Sequence, residues 1–233
     1  QRVKAAFTAI AVAEHFRDEG KDVLMMMDSL TRFAMAQREI GLAAGEPPTT
    51  KGYCPSVFSL LPKLLERLGA TDRGSITGVI TILVEGDDMD DPVADHARSL
   101  LDGHAVLSRR LAEQGHYPAV DILQSVSRLM KAVVTPEHLL AAQRFRAIYS
   151  TYQSAEDLIN IGALASGGNQ RIDKAVSLID RVREFLIQRS GARTEFEEML
   201  KWLQEVTASW DFLLSADEAN PEAAAAGTER ATA

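Results

Sequence analysis

In residues 23–33, VLMMMDSLTRF, an apolar run meets an acid, Asp28, then a hydroxyl, Ser29, then a cation, Arg32. A carboxylate at the end of a strand can hold the water shell of a Mg2+ ion beside a transferred phosphoryl group. The Asp-Ser pair equally suits the cap of a following helix, and taken alone the two roles weigh about the same. A second group falls within residues 106–128, VLSRRLAEQGHYPAVDILQSVSR. Arg128 is expected on a loop that carries Asp121, Gln124, Ser125 and Ser127. From such a loop a guanidinium would reach a neighbouring subunit's phosphates and neutralise charge on a γ-phosphoryl group. A solvated loop arginine is the plainer alternative. Tyr117 precedes Pro118, which holds its backbone extended. Its ring suits either stacking on a purine base or packing at a strand start. The acidic run EGDDMDD, residues 85–91, could act on a metal ion, but it lacks the spacing of an EF-hand and a solvated loop is the simpler reading. No phosphate-cradling G-x-x-x-x-G-K-[ST] segment occurs in the 233 residues.

The pattern of apolar residues says which elements must position these groups. Residues 3–19 suit a helix that stops at Gly20, and residues 22–27 are an unbroken apolar run, as in a parallel strand buried on both faces. Thr31 to Leu42 suits a helix, and GEPPTTKGYCP (45–55) breaks it with paired prolines and two glycines. Pro55 opens the next helix, with a stripe at Phe58, Leu61, Leu65 and Leu68. GSITGVITILV (74–84) is β-branched and apolar on both faces, a second central strand, and Pro92 starts a helix to Leu101. His104–Leu107 and Tyr117–Ile122 complete the strand signals. Strands alternating with helices imply a parallel α/β sheet.

Near residue 135 the period changes. Thr135-Pro136-Glu137 has the cap, proline and acid of a helix start. Three stripes at spacings of three and four follow: Ala142, Phe145, Tyr149, Tyr152, Ala155, Ile159; then Ile172, Val176, Ile179, Val182, Leu186; then Phe196, Met199, Leu203, Val206, Trp210, Leu213. They predict a small helical bundle joined at residues 162–169 and near Gly191. From about Asp217 the chain is Ala-rich with no periodic face, as expected of a disordered tail.

Composition narrows the classes of function. A net charge of −8 and a pI near 5.2 argue against a broad nucleic-acid surface. No stretch approaches 18 uninterrupted apolar residues, so no transmembrane span is expected. One cysteine, Cys54, excludes an internal disulfide or a cysteine-cluster zinc site and is expected to be a packing residue. The five histidines have no H-E-x-x-H spacing. The opening QRVKAAFTAI has neither an initiator Met nor a signal peptide and is mid-helix in character, the expectation for a truncated chain.

Several motifs fall in one order: Asp28 with Arg32, GEPPTTKGY (45–53), GSIT (74–77), EGDD (85–88), LDGHAVLSR (101–109), HYPAVD (116–121) and SVSR (125–128). This order resembles the hexameric ATPases related to the catalytic subunits of F-type ATP synthase. MDSLTRFAMAQREI, LDGHAVLSRRLAEQGHYPAVDI and AEDLINIG (155–162) make the flagellar type III protein-export ATPases the nearest resemblance, with the injectisome ATPases as sister group. The similarity spans roughly residues 1–206.

The resemblance implies a partial RecA-like domain over residues 1–134, a helical C-terminal domain over 135–216 and a tail over 217–233. It implies ATP and Mg2+ as ligands, with Asp28 as the acid that orders the Mg2+ water shell, Arg128 as a finger offered to the adjoining subunit and Tyr117 as the aromatic against adenine. Arg32 would lie beside the phosphate site, and Asp87 and Asp88 on a loop facing a central stalk. A homohexamer is implied, working at the cytoplasmic face of an export apparatus and associating peripherally with the membrane through its gate. A stalk protein, a negative regulator, export substrates and chaperones are the implied partners. The family's β-barrel, phosphate loop and catalytic glutamate have no counterpart in this sequence, so the chain alone is expected neither to bind ATP tightly nor to hydrolyse it. Two other readings stand beside this one: a non-catalytic ring or scaffold subunit, and a ring-shaped RNA translocase, which the net charge disfavours.

Overall fold

The first apolar run folds as a strand between two helices, and the same alternation builds the N-terminal half. In the computed structural model the order is α1 (Arg2–Asp18), β1 (Asp22–Met27), α2 (Leu30–Ala43), a 3-10 turn at Thr50–Gly52, α3 (Pro55–Leu65), β2 (Gly69–Ala70), β3 (Ser75–Ile80), a 3-10 turn at Glu85–Asp87 and α4 (Pro92–Leu100). Then come β4 (Gly103–Leu107), α5 (Arg109–Glu113), β5 (Val120–Ser127), α6 (Met130–Val133), α7 (Pro136–Asn160), α8 (Gln170–Leu186) and α9 (Phe196–Thr207). The structure describes residues 1–88, 90–162 and 168–212. They form two units, one of residues 1–104 and one that starts at Ala105. The expected tail from Asp217, Leu213 and the middle of the 162–169 connection lie outside the described residues.

In the first unit β1 and β3 pair in parallel from Asp22↔Ser75 to Met27↔Ile80, and β2 adds to β3 antiparallel. Ser75 Oγ fixes the start of that register by donating to Asp22 Oδ1 at 2.7 Å. Gly74 lets the β3 entry lie against the α1–β1 turn: a Cβ there would sit 2.5 Å from the Lys21 carbonyl oxygen and 2.6 Å from that of Arg17. Met25 and Ile76 point into one core with Ile10, Phe33, Leu61, Leu64 and Val93. The expectation of strands buried on both faces is corrected here. Leu24, Met26 and Val79, on the other side of the pleat, are 64%, 75% and 48% exposed. The helices cover only one side of the paired strands, so their alternate residues meet solvent. Cys54 is fully buried and would meet a Cβ at Gly41 at 2.9 Å, which fits a packing role.

The second unit carries β5, paired among the described residues only with β4, and the three-helix bundle. At its entry Thr135 caps α7 by accepting from the His138 amide, with Pro136 in the first turn. The bundle core joins Phe145, Ile148, Tyr149 and Tyr152 of α7 to Ala175, Leu178, Ile179 and Val182 of α8 and to Leu203, Val206 and Trp210. Each fully buried side chain of this kind stabilises the fold by about 1.5–3 kcal/mol. The stripes run slightly off the predicted ones: Ile148 and Leu178 are buried, whereas Val176 and Phe196 are exposed.

Candidate functional site

The end of β1 is built from its neighbours. Asp28 follows the last strand residue, Met27, and Thr81 follows Met27's register partner, Ile80. Asp28 therefore stands at the carboxyl edge of the parallel pair. Thr81 Oγ1 donates to Asp28 Oδ1 at 3.0 Å, and the Thr81 amide donates to the Met27 carbonyl at 3.0 Å. The Leu30 amide returns to the Thr81 carbonyl at 2.9 Å, and Thr31 Oγ1 bonds both the amide (2.9 Å) and the carbonyl (3.2 Å) of Leu83. These bonds stitch residues 81–83 to the strand-to-helix turn.

The cap of α2 is Ser29, not Asp28: Ser29 is buried and its Oγ accepts from the Arg32 amide. The Asp28 carboxylate is thus released from capping, exposed, and held through one oxygen. Arg32, one turn into α2, is exposed, and its guanidinium makes no hydrogen bond or ion pair among the described residues. An exposed carboxylate with a spare oxygen at a strand end fits the outer shell of a hydrated hard cation. Thr81 was not visible as a site residue from sequence, because only the β1–β3 register sets it opposite Asp28.

The loops flanking this edge carry a second charge cluster. A cleft of about 240 Å3 is lined by Thr31, Tyr53, Leu83 and Glu85 among others. In the same lining Lys51, at φ 52°, pairs with Asp88 and lies 3.9 Å from Asp91 Oδ2. The Lys51 ammonium, helped by the Asp90 amide, holds the Asp88 carboxyl below its usual range, and Asp88 in turn raises Lys51. Asp91 is spent on the cap of α4, accepting from the Val93 (2.9 Å) and Ala94 (3.2 Å) amides. Among the described residues no group of three or more His, Cys, Asp or Glu is placed to hold a metal directly. The Asp87 side chain and Met89 lie outside the described residues.

The second unit presents Arg128 and Tyr117. Residues 123–127, expected as part of a loop, continue β5 past the strand expected to end at Ile122, because they pair with β4. Arg128 is the first residue beyond that strand and is exposed. Tyr117 is 56% exposed and precedes the strand, which begins at Val120 and not at Tyr117. Its carbonyl accepts from the Gln188 amide at 2.8 Å, which leaves the ring accessible for stacking. Its neighbour His116 is buried, and that burial, more than the nearby Arg183 charge, pulls its pKa below the ordinary histidine range. Among the described residues no helix is long and apolar enough to cross a membrane.

A parallel pair with an exposed acid at its carboxyl edge, followed by a helical bundle, is the architecture of a RecA-like nucleotide-binding protein of the F-type class. Residues 1–127 match the ATP synthase alpha/beta family, nucleotide-binding domain, and the chain belongs to that family. Residues 134–205 match the T3SS EscN ATPase C-terminal domain. The chain is 55% identical over 208 residues to the flagellum-specific ATP synthase of Bacillus subtilis (strain 168), covering 89% of this chain and 48% of that protein. The assembled ATPase EscN of the enteropathogenic E. coli type III secretion system superposes with a TM-score of 0.86 at 49% identity, over 88% of this chain and 50% of EscN. EscN in complex with its central stalk EscO gives a TM-score of 0.80 at 47% identity, over 88% of this chain and 49% of that one. The chain spans about half the length of the curated relatives it matches.

Proposed function

We propose that this chain is the part of a flagellar type III protein-export ATPase that supplies the magnesium acid, the base contact and the arginine finger. In this reading residues 1–134 complete a RecA-like domain, residues 135–216 form the helical C-terminal domain, and the phosphate loop and catalytic glutamate come from residues outside this sequence. Asp28 would order the Mg2+ water shell, Tyr117 would pack on adenine, and Arg32 would add positive charge beside the phosphates. When bound beside Asp28, Mg2+ would supply neutralisation of phosphate charge. Arg128 would act on the ATP of the adjoining subunit, so the working form is a homohexamer around a central stalk at the cytoplasmic face of the export apparatus. Hydrolysis would drive unfolding or release of export substrates delivered by chaperones and restrained by a negative regulator. A peripheral association with the export gate follows, with no role for nucleic acid.

The observation that carries this reading is the exposed Asp28 carboxylate at the carboxyl edge of β1, with capping of α2 left to Ser29. The 55% identity to the flagellum-specific ATP synthase of Bacillus subtilis supports the flagellar branch, while the 49% identity to EscN and the C-terminal match keep the injectisome ATPases as the second reading. In the full-length protein that carries this sequence, Arg128→Ala should lower hydrolysis by about 10³-fold or more while nucleotide binding stays within a few-fold. Wild-type turnover in that variant would remove Arg128 from the mechanism.

A further inference from the structure

The strand that delivers Arg128 is not regular. Asp121 is buried, and its Oδ1 accepts from two neighbouring amides, Leu123 at 3.0 Å and Gln124 at 3.1 Å. Its Oδ2 accepts from Gln124 Nε2 at 2.8 Å. Ser125 Oγ donates to the Asp121 carbonyl at 2.6 Å and accepts from the Val106 amide at 2.9 Å. Successive amides of a flat strand point to opposite sides, so one oxygen that takes both marks a local bend, as at a β-bulge. A bend frees strand carbonyls from the ladder, and a single side chain collects three of them. Arg146, on α7, bonds the Ile122 and Ser125 carbonyls through Nη1, the latter at 3.1 Å, and the Leu123 carbonyl through Nη2 at 3.0 Å. Ser125 is three residues before Arg128.

We infer that Arg146 is a positioning residue for Arg128: its guanidinium ties the bent end of β5 to α7, so that the helical bundle sets where Arg128 is presented. Three charge-assisted bonds from one rigid fork fix the strand in direction as well as position, and each is roughly twice as strong as a neutral one. Among the described residues β5 has only β4 as a strand partner, and a two-stranded ribbon holds its own geometry poorly. The inference rests on the reading of Arg128 as the cation offered to the next subunit. Movement of α7 in a ring would then reach the neighbour's phosphates through three carbonyls.

Two measurements test it. In the full-length protein, Arg146→Ala should lower kcat roughly 10- to 100-fold with KM for ATP within about twofold, since a displaced catalytic group costs rate more than binding. Arg146→Lys, which still bonds part of the carbonyl set, should fall between the variant and wild type. In the 233-residue chain, hydrogen exchange at residues 126–129 should quicken in Arg146→Ala while the amides of α7, α8 and α9 keep their protection. Unchanged kcat in Arg146→Ala, where Arg128→Ala abolishes turnover, overturns the inference. So does unchanged exchange at 126–129, or a loss of protection spread through the bundle, which marks Arg146 as structural only. Full turnover in Arg128→Ala instead removes the underlying reading of the finger, and the inference falls with it.

Discussion

The two units present their exposed charges by different means. In the first, Asp28 is placed by the strand ladder itself: register sets Thr81 opposite it, and a hydroxyl holds one carboxylate oxygen. In the second, Arg128 leaves a bent strand whose carbonyls are held by a helix. The difference follows from sheet size. Paired parallel strands with helices against one face carry their own geometry, whereas a two-stranded ribbon borrows rigidity from the element beside it. The acid is therefore fixed within its sheet, and the cation depends on the bundle.

If that contrast is right, damage to the bundle core should be the costliest change. Trp210, in the third stripe, is 1% exposed and lies against Phe212 at a steep tilt, with ring centroids 5.0 Å apart. Trp210→Ala should destabilise the second unit by about 3–5 kcal/mol in urea unfolding. A loss under 1 kcal/mol would mean that the bundle is too loosely packed to anchor β5. The next effect belongs to the first unit. Gly74→Ala drives a methyl into two backbone carbonyls that have no room to yield, and should cost about 1–3 kcal/mol. Its unfolding transition should shift while the Trp fluorescence of the second unit, which reports Trp202 and Trp210, keeps its midpoint. A joint shift of both transitions would show that the units melt as one. The smallest effect is expected on the bare face of β1. Met26→Lys, at a side chain 75% exposed, should change the stability of this chain by less than about 0.5 kcal/mol. A larger loss would show that this face is covered in solution.

Local rules made much of the architecture legible. The β1 run, Pro55 and Pro92 at helix starts, and Thr135-Pro136-Glu137 each act within one turn of chain, and each element starts where those residues direct it. The candidate charges, Asp28 and Arg128, were legible as residue types after apolar or hydroxyl-rich segments. Their surroundings were not. Asp-Ser carries two potential caps, and the choice of Ser29 depends on which side chain turns toward the Arg32 amide. Residues 123–127 carry few pure strand formers, and pairing with β4 turned an expected loop into the second half of β5.

Composition and periodicity by themselves determined the strand-helix alternation, the change to a bundle near residue 135 and the types of the candidate groups, because those signals arise between residues a few positions apart. Only the tertiary structure decided that Thr81 meets Asp28, that β1 keeps one side bare and that Arg146 grips β5. Those pairings join residues 53, or more than 20, positions apart, and no local spacing encodes which distant backbone a side chain will find.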